Sequence, residues 1–190
     1  SRPASLALAS FSSGREDSRA LCSPRMAHIN SVQLLQTARE LKLAANKLLV
    51  IVGMKGSGKT DLVLNVSAQL SWPVVNVGKE VSERLLSFTL RQRRLKAEEI
   101  VADAVEASGH RELCVDNTEV LFDPALALNP VNLLLNLSRN RVLIAAWNGH
   151  LENGSLVYAY PGHPEYFKEP AHGFPVVTVA DDKLHLFLQP

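Results

Sequence analysis

Eight consecutive residues, Gly53-Met54-Lys55-Gly56-Ser57-Gly58-Lys59-Thr60, carry the clearest chemistry in the chain. Two glycines separated by four residues and followed by Lys and Thr have the spacing of a phosphate-binding P-loop. A triphosphate tail needs several donors converging on it. Backbone N–H groups of residues 56–60 supply them when the loop turns inward, and the following helix adds its positive end. Glycine at Gly53, Gly56 and Gly58 allows positive φ and a close approach to phosphate, with Ser57 completing the cradle. Lys59 is then expected to bridge the β- and γ-phosphates and the Thr60 hydroxyl to ligate Mg²⁺, which makes ATP and Mg²⁺ the expected cofactors.

Other residues fit around that centre. Asp116 closes the apolar run Glu112–Asp116, where a strand end would project a carboxylate toward the metal. The next residue is Asn117 rather than a glutamate able to polarise the attacking water. Glu119 is the nearest candidate base, and a carboxylate at a helix start is its alternative. Asn148 ends the run Val142–Trp147 and is a candidate contact to the γ-phosphate or the lytic water, against a plain turn at Asn148-Gly149. Arg139 and Arg141 are candidate arginine fingers toward a neighbouring subunit in a nucleotide-dependent homo-oligomer, or cations that stabilise a helix C-terminus. The cluster Arg91, Arg93, Arg94 and Lys96, with Arg84 before it, is either a solvated helix face or a patch for double-stranded DNA or a partner.

The elements that must hold these residues follow from periodicity. Leu48 to Val52 is a strand ending at the loop, and Leu62, Val63, Val66 and Leu70 form one stripe of the helix after it, stopped by Trp72-Pro73. Asn30 caps a lead-in helix that Asn46 closes. A second strand covers Val74 to Val77, and the segment from Val81 to about Ser108 is helical with a break near Ser87 to Arg91. Asn129-Pro130 opens another helix, and the continuous apolar run before Asn148 is a central parallel strand. The fold expected is a three-layer α/β P-loop domain, AAA+-like, with a parallel central sheet and its ligand at the strand C-termini. Residues 1–25 are expected to be a disordered tail or an upstream extension, 26–150 the core, and 151–190 a β-rich extension of the same domain. That extension opens with a hairpin at Asn153-Gly154 and shows no helical pattern long enough for a lid.

Composition excludes several classes. The chain has 190 residues, 46% of them hydrophobic, and a formal charge of +1, which describes one ordinary domain rather than a highly charged nucleic-acid coat. No apolar run approaches a membrane span. Cys22 and Cys114 lack the spacing of a metal knuckle or redox pair, so free thiols in a reducing, cytoplasmic setting are expected. His163, His172 and His185 show no ligand spacing.

The acidic strand separated from the P-loop strand by another strand and helix, with a polar residue closing the next strand, resembles the ASCE and AAA+ division. At a finer level the chain is similar to the BrxF family, small P-loop proteins of type 3 BREX (bacteriophage exclusion) systems. That resemblance covers about Met26 to Phe187 and rests on the P-loop, on Val115 to Pro124, and on Leu137 to Arg141. It also rests on Ala146 to Gly149 and Tyr158 to Tyr166. It implies an ATP-binding subunit of a bacterial defence complex, acting beside a large ATPase and an adenine methyltransferase. Asn117 and the missing lid leave open a nucleotide-binding scaffold or DNA-binding adaptor without significant turnover. A small-molecule kinase ranks below both, because the β-rich tail supplies no arginine-rich lid.

Overall fold

The computed structural model describes residues 25–181 and 183–188. Strand β1 spans Arg25–Ile29 and helix α1 spans Ser31–Glu40, capped by Asn30. Strand β2, Leu48–Gly53, leads into α2, Lys59–Leu70, and β3, Val74–Asn76, into α3, Val77–Leu85. After α4, Leu90–Glu106, come β4, Glu112–Asp116, and α5, Pro130–Leu137. Strand β5 is Val142–Asn148, followed by β6, His150–Glu152, β7, Ser155–Tyr158, and β8, Phe167–Pro170. Strands β9, Val176–Ala180, and β10, Lys183–Leu188, end the described chain.

A seven-stranded sheet runs in the order β1-β10-β9-β2-β5-β4-β3. The block from β9 to β3 is parallel throughout, so β2, β4 and β5 all end at one edge. Every residue of β2 is buried, and its side chains alternate between two cores. Leu48, Val50 and Val52 pack with α3, α4 and α5, whereas Leu49 and Ile51 pack with α1 and α2. A strand covered on both faces must be apolar at successive positions, which explains the unbroken run in the sequence. Truncating Ile51 to alanine there removes about 2–5 kcal/mol.

The small sheet β6-β7-β8 sits where a crossover helix between β5 and β9 is the ordinary solution. An aromatic group fastens it: Phe122 stacks on Tyr158 at 3.8 Å and meets Trp147 edge-on at 4.8 Å. The indole Nε1 of Trp147 donates to the Val157 carbonyl at 3.3 Å, so this large buried ring leaves no polar atom unpaired.

Several expectations need correction. The residues just before Asn30 form strand β1, whose register with β10 runs from Arg25↔Leu188 to Ile29↔Leu184. Its sequence, RMAHI, has little β character, and pairing supplies what propensity does not. The tail assigned to residues 1–25 therefore ends in a strand, and its first 24 residues lie outside those described. Helix α1 stops at Glu40 and tightens into a 3₁₀ turn at Leu41–Leu43 rather than reaching Asn46. Val77 begins α3 instead of ending β3, because the Asn76 side chain accepts from Lys79 N and caps the helix there. Residues Phe167–Pro170 form β8, a strand without a counterpart among the elements expected from periodicity. Strand β9, in the segment after residue 150, joins the central sheet and pairs in parallel with β2 from Val50↔Val176 to Val52↔Thr178.

Candidate functional site

The site begins where β2 turns into α2. Gly53 has no room for a side chain: an added Cβ would stand 2.2 Å from Ser57 Oγ and 3.1 Å from the Val179 carbonyl. Gly56 and Gly58 both hold φ of +82°, a left-handed conformation that glycine adopts without steric cost. With space open around both, the loop presents backbone rather than side chains to the cavity above it. That cavity, of about 450 Å³, is lined by Met54 to Gly58 and by Val179, Ala180 and Asp181.

Helix N-termini reveal what the loop is for. Asn30, Asn76, Thr89 and Asn129 each accept a backbone N–H at the start of α1, α3, α4 and α5. Helix α2 alone among the described α-helices has no side-chain cap, because Gly58 occupies that position. Its first N–H groups and the positive end of its dipole therefore face the cavity free for an anion. Ser57 Oγ adds a buried hydroxyl with no hydrogen-bond partner among the described residues. An orphaned polar atom of this kind costs free energy unless a ligand completes it.

Lys59 supplies the charge. Only 8% exposed, it donates through Nζ to the Met54 carbonyl at 3.3 Å and to Asn148 Oδ1 at 3.2 Å. Parallel pairing explains why a residue 89 positions away reaches it: Gly53 lies opposite Asn148, and Gly149 N donates to the Gly53 carbonyl at 3.0 Å. Asn148 is thus part of the loop's environment. Gly149 must follow it, since a Cβ there would fall 1.9 Å from the Val157 carbonyl.

Asp116 ends β4 at the same edge, 7% exposed, with β5 between it and the loop strand. Helix α2, whose exposed Thr60 lies in the first turn, packs across β4. Two oxygen donors at this edge suit a hard cation such as Mg²⁺. After Asp116 the chain turns sharply at Asn117, φ 55°, and Thr118 Oγ1 donates to the Ala146 carbonyl at 2.6 Å. That bond ties the acidic strand's exit to β5. Gly78 accommodates the turn, because a Cβ there would meet the Asn117 carbonyl at 2.9 Å.

Glu119 lies half-buried in the 3₁₀ turn Thr118–Phe122, where its charge acts on the Tyr158 phenol. Burial, then the charge and hydrogen bond of Glu165, and finally the charge of Glu119 push the Tyr158 phenol up to about 12. Its hydroxyl donates to Glu165 Oε2 at 3.2 Å.

Arg139 and Arg141 are at the opposite edge of the sheet, before β5 begins, and cannot touch the P-loop of their own chain. The cluster on α4 divides. Arg93 Nε donates to the Phe88 carbonyl at 2.9 Å, and Lys96 pairs with Glu99 at 3.8 Å while lying over the Phe88 ring. Those two stabilise the α3–α4 turn, while Arg91 and Arg94 remain exposed. Cys114 is fully buried in β4, and burial pushes its thiol up to about 12, so it packs as an apolar residue.

The wall formed by Val179 to Asp181 was the part of the site that sequence reading missed. The turn signal at Asp181 is visible, but only the pairing of β9 with β2 carries it to the loop.

No family model matches this sequence, and no curated protein matches it. Among solved structures, C. elegans PCH-2 is similar at 19% identity and a TM-score of 0.38, over 65% of this chain. The match spans 38% of the PCH-2 chain. At that likeness nothing about activity passes from one protein to the other. No helix among the described residues is long and apolar enough to cross a membrane.

Proposed function

We propose that the chain binds MgATP on Gly53–Thr60. The observation that carries this reading is the buried Lys59 ammonium, held by Met54 and Asn148 beside the one α-helix start without a side-chain cap among the described residues. In this reading the N–H groups of residues 56–60 and Ser57 Oγ take phosphate oxygens, while Lys59 neutralises their charge. Thr60 and Asp116 hold Mg²⁺, which supplies further charge neutralisation when bound. Asn148 orients Lys59 and senses the terminal phosphate. The strand order, with β5 inserted between β2 and β4, supports the ASCE and AAA+ resemblance.

At the finer level the protein is an AAA+-like subunit of a cytoplasmic type 3 BREX complex. It hydrolyses ATP slowly or only in an oligomer, where Arg139 or Arg141 serves a neighbour, and so controls assembly with the large ATPase, the adenine methyltransferase and double-stranded DNA. The resemblance of the sequence blocks named above to the BrxF family motivates this reading. A scaffold or adaptor without significant turnover is the second reading. Asn117, standing after Asp116 where a water-polarising glutamate would be needed, favours it.

Calorimetric titration with MgATP, alongside Lys59→Ala and Asp116→Ala, tests the first claim. Saturable binding by the parent and its loss in Lys59→Ala is expected, and a parent that binds no nucleotide ends the proposal. Hydrolysis measured alone and with the partner proteins then separates the two finer readings.

A further inference from the structure

The edge of the sheet opposite the P-loop holds a second cavity, of about 530 Å³. Three loops build it: the entry to β2, the α4–β4 connection and the α5–β5 connection. Backbone bonds lock them together, Val142 N to the Arg111 carbonyl and Leu143 N to the Lys47 carbonyl, both at 2.8 Å. Lys47, Arg111, Arg139 and Arg141 all line it, against the single carboxylate of Glu106. Those ionic side chains leave the cavity at +3, although the whole chain carries only +1.

Like charges gathered this closely repel one another unless something compensates them. Arg141, mostly buried, pairs with Glu106, which is itself largely exposed. The next acid along, Glu112, is engaged by Lys42 at 2.8 Å. Among the described residues, Lys47, Arg111 and Arg139 have no ion-pair partner within 4.0 Å. The rest of the lining is polar or small, His110, Asn140 and Gly109, with no aliphatic side chain among them.

We infer that this cavity binds a compact polyphosphate anion through closely spaced phosphates, as a site separate from the P-loop. Guanidinium groups take phosphate oxygens in pairs, the lysine adds a point charge, and the concave volume falls in the range of small-ligand sites. The same chemistry is offered by a free oligophosphate or by adjacent phosphates of a nucleic-acid backbone.

Inorganic tripolyphosphate titrated into the full chain is the test, with Lys59→Ala as the background that removes P-loop binding. A remaining site that weakens at least tenfold in Lys47→Gln/Arg111→Gln, and less in Arg139→Gln alone, supports the assignment. MgATP affinity at the P-loop should not change in the double variant, which also shows that it is folded. Arg111→Lys should retain part of the binding, because it keeps the charge and loses the fork. A short DNA duplex that displaces tripolyphosphate identifies the source as backbone phosphate, and one that does not identifies a free oligophosphate. Absence of binding in Lys59→Ala, or unchanged binding in the double variant, overturns the inference and leaves the P-loop reading standing.

Discussion

The two edges of the central sheet use positive charge in opposite ways. At the C-terminal edge one lysine is buried and held by two oxygen acceptors, beside a loop whose left-handed glycines Gly56 and Gly58 have open space around them. At the N-terminal edge several cations line an open cavity without ion-pair partners for most of them. Burial at the first edge fixes geometry and lowers the local dielectric, so a few groups suffice and the site discriminates by shape. Number replaces geometry at the second, where charges lining an open cavity, exposed at Arg111 and Arg139, act through a field that salt screens. The first edge is therefore sensitive to single atoms, and the second to total charge and ionic strength.

A methyl group is enough to break the precise edge. Gly149→Ala places a Cβ against the Val157 carbonyl at a backbone φ of +144°, a conformation that side chains rarely adopt. A loss of about 3 kcal/mol in stability is expected, read from urea unfolding, from overpacking and backbone strain together. Next in size is Asn148→Ala, which removes one acceptor from the Lys59 ammonium while leaving the fold intact. MgATP affinity should fall roughly tenfold, about 1.4 kcal/mol, in a calorimetric titration. Tripolyphosphate binding at the other edge should not move, and a parallel loss there would erase the distinction between the edges.

How much of this was visible in the sequence depends on the distance over which each feature is decided. The P-loop, Asp116 and Asn148 are legible because their chemistry sits within or at the end of one apolar run. Local signals also placed β4, the Asn153-Gly154 hairpin and the break between α3 and α4. Strand β1 was hidden because its five residues have no alternating pattern and exist as a strand only through β10. Strand β9 was visible as a run of valines, yet nothing local shows that it lies beside β2 and carries Asp181 to the loop. Arg139 and Arg141 precede β5, and the direction of a parallel strand puts its start and its end on opposite edges.

Two smaller effects sharpen the comparison further. Thr118→Val keeps the shape of the β4 exit but removes the bond to the Ala146 carbonyl, and about 1 kcal/mol of stability should go with it in thermal unfolding. The smallest effect is in pH. Burial raises the Cys114 thiol from 9.0 and the Tyr158 phenol from 10.0, each to about 12, so the folded state holds both protons longer than the unfolded chain. Their contribution is complete below pH 9 and declines as pH rises toward 12. The urea midpoint should drift downward from pH 9, and Cys114→Ala should flatten the earlier part of that drift.

The central claim is that a buried lysine and an uncapped helix start make a MgATP site at one edge only. Titrating MgATP into the parent and Lys59→Ala side by side tests it most directly. Saturable binding in the parent that weakens roughly 100-fold in the variant, about 2.8 kcal/mol, is the predicted result. Equal affinity in both proteins would contradict it, because the nucleotide would then be held by something other than this loop.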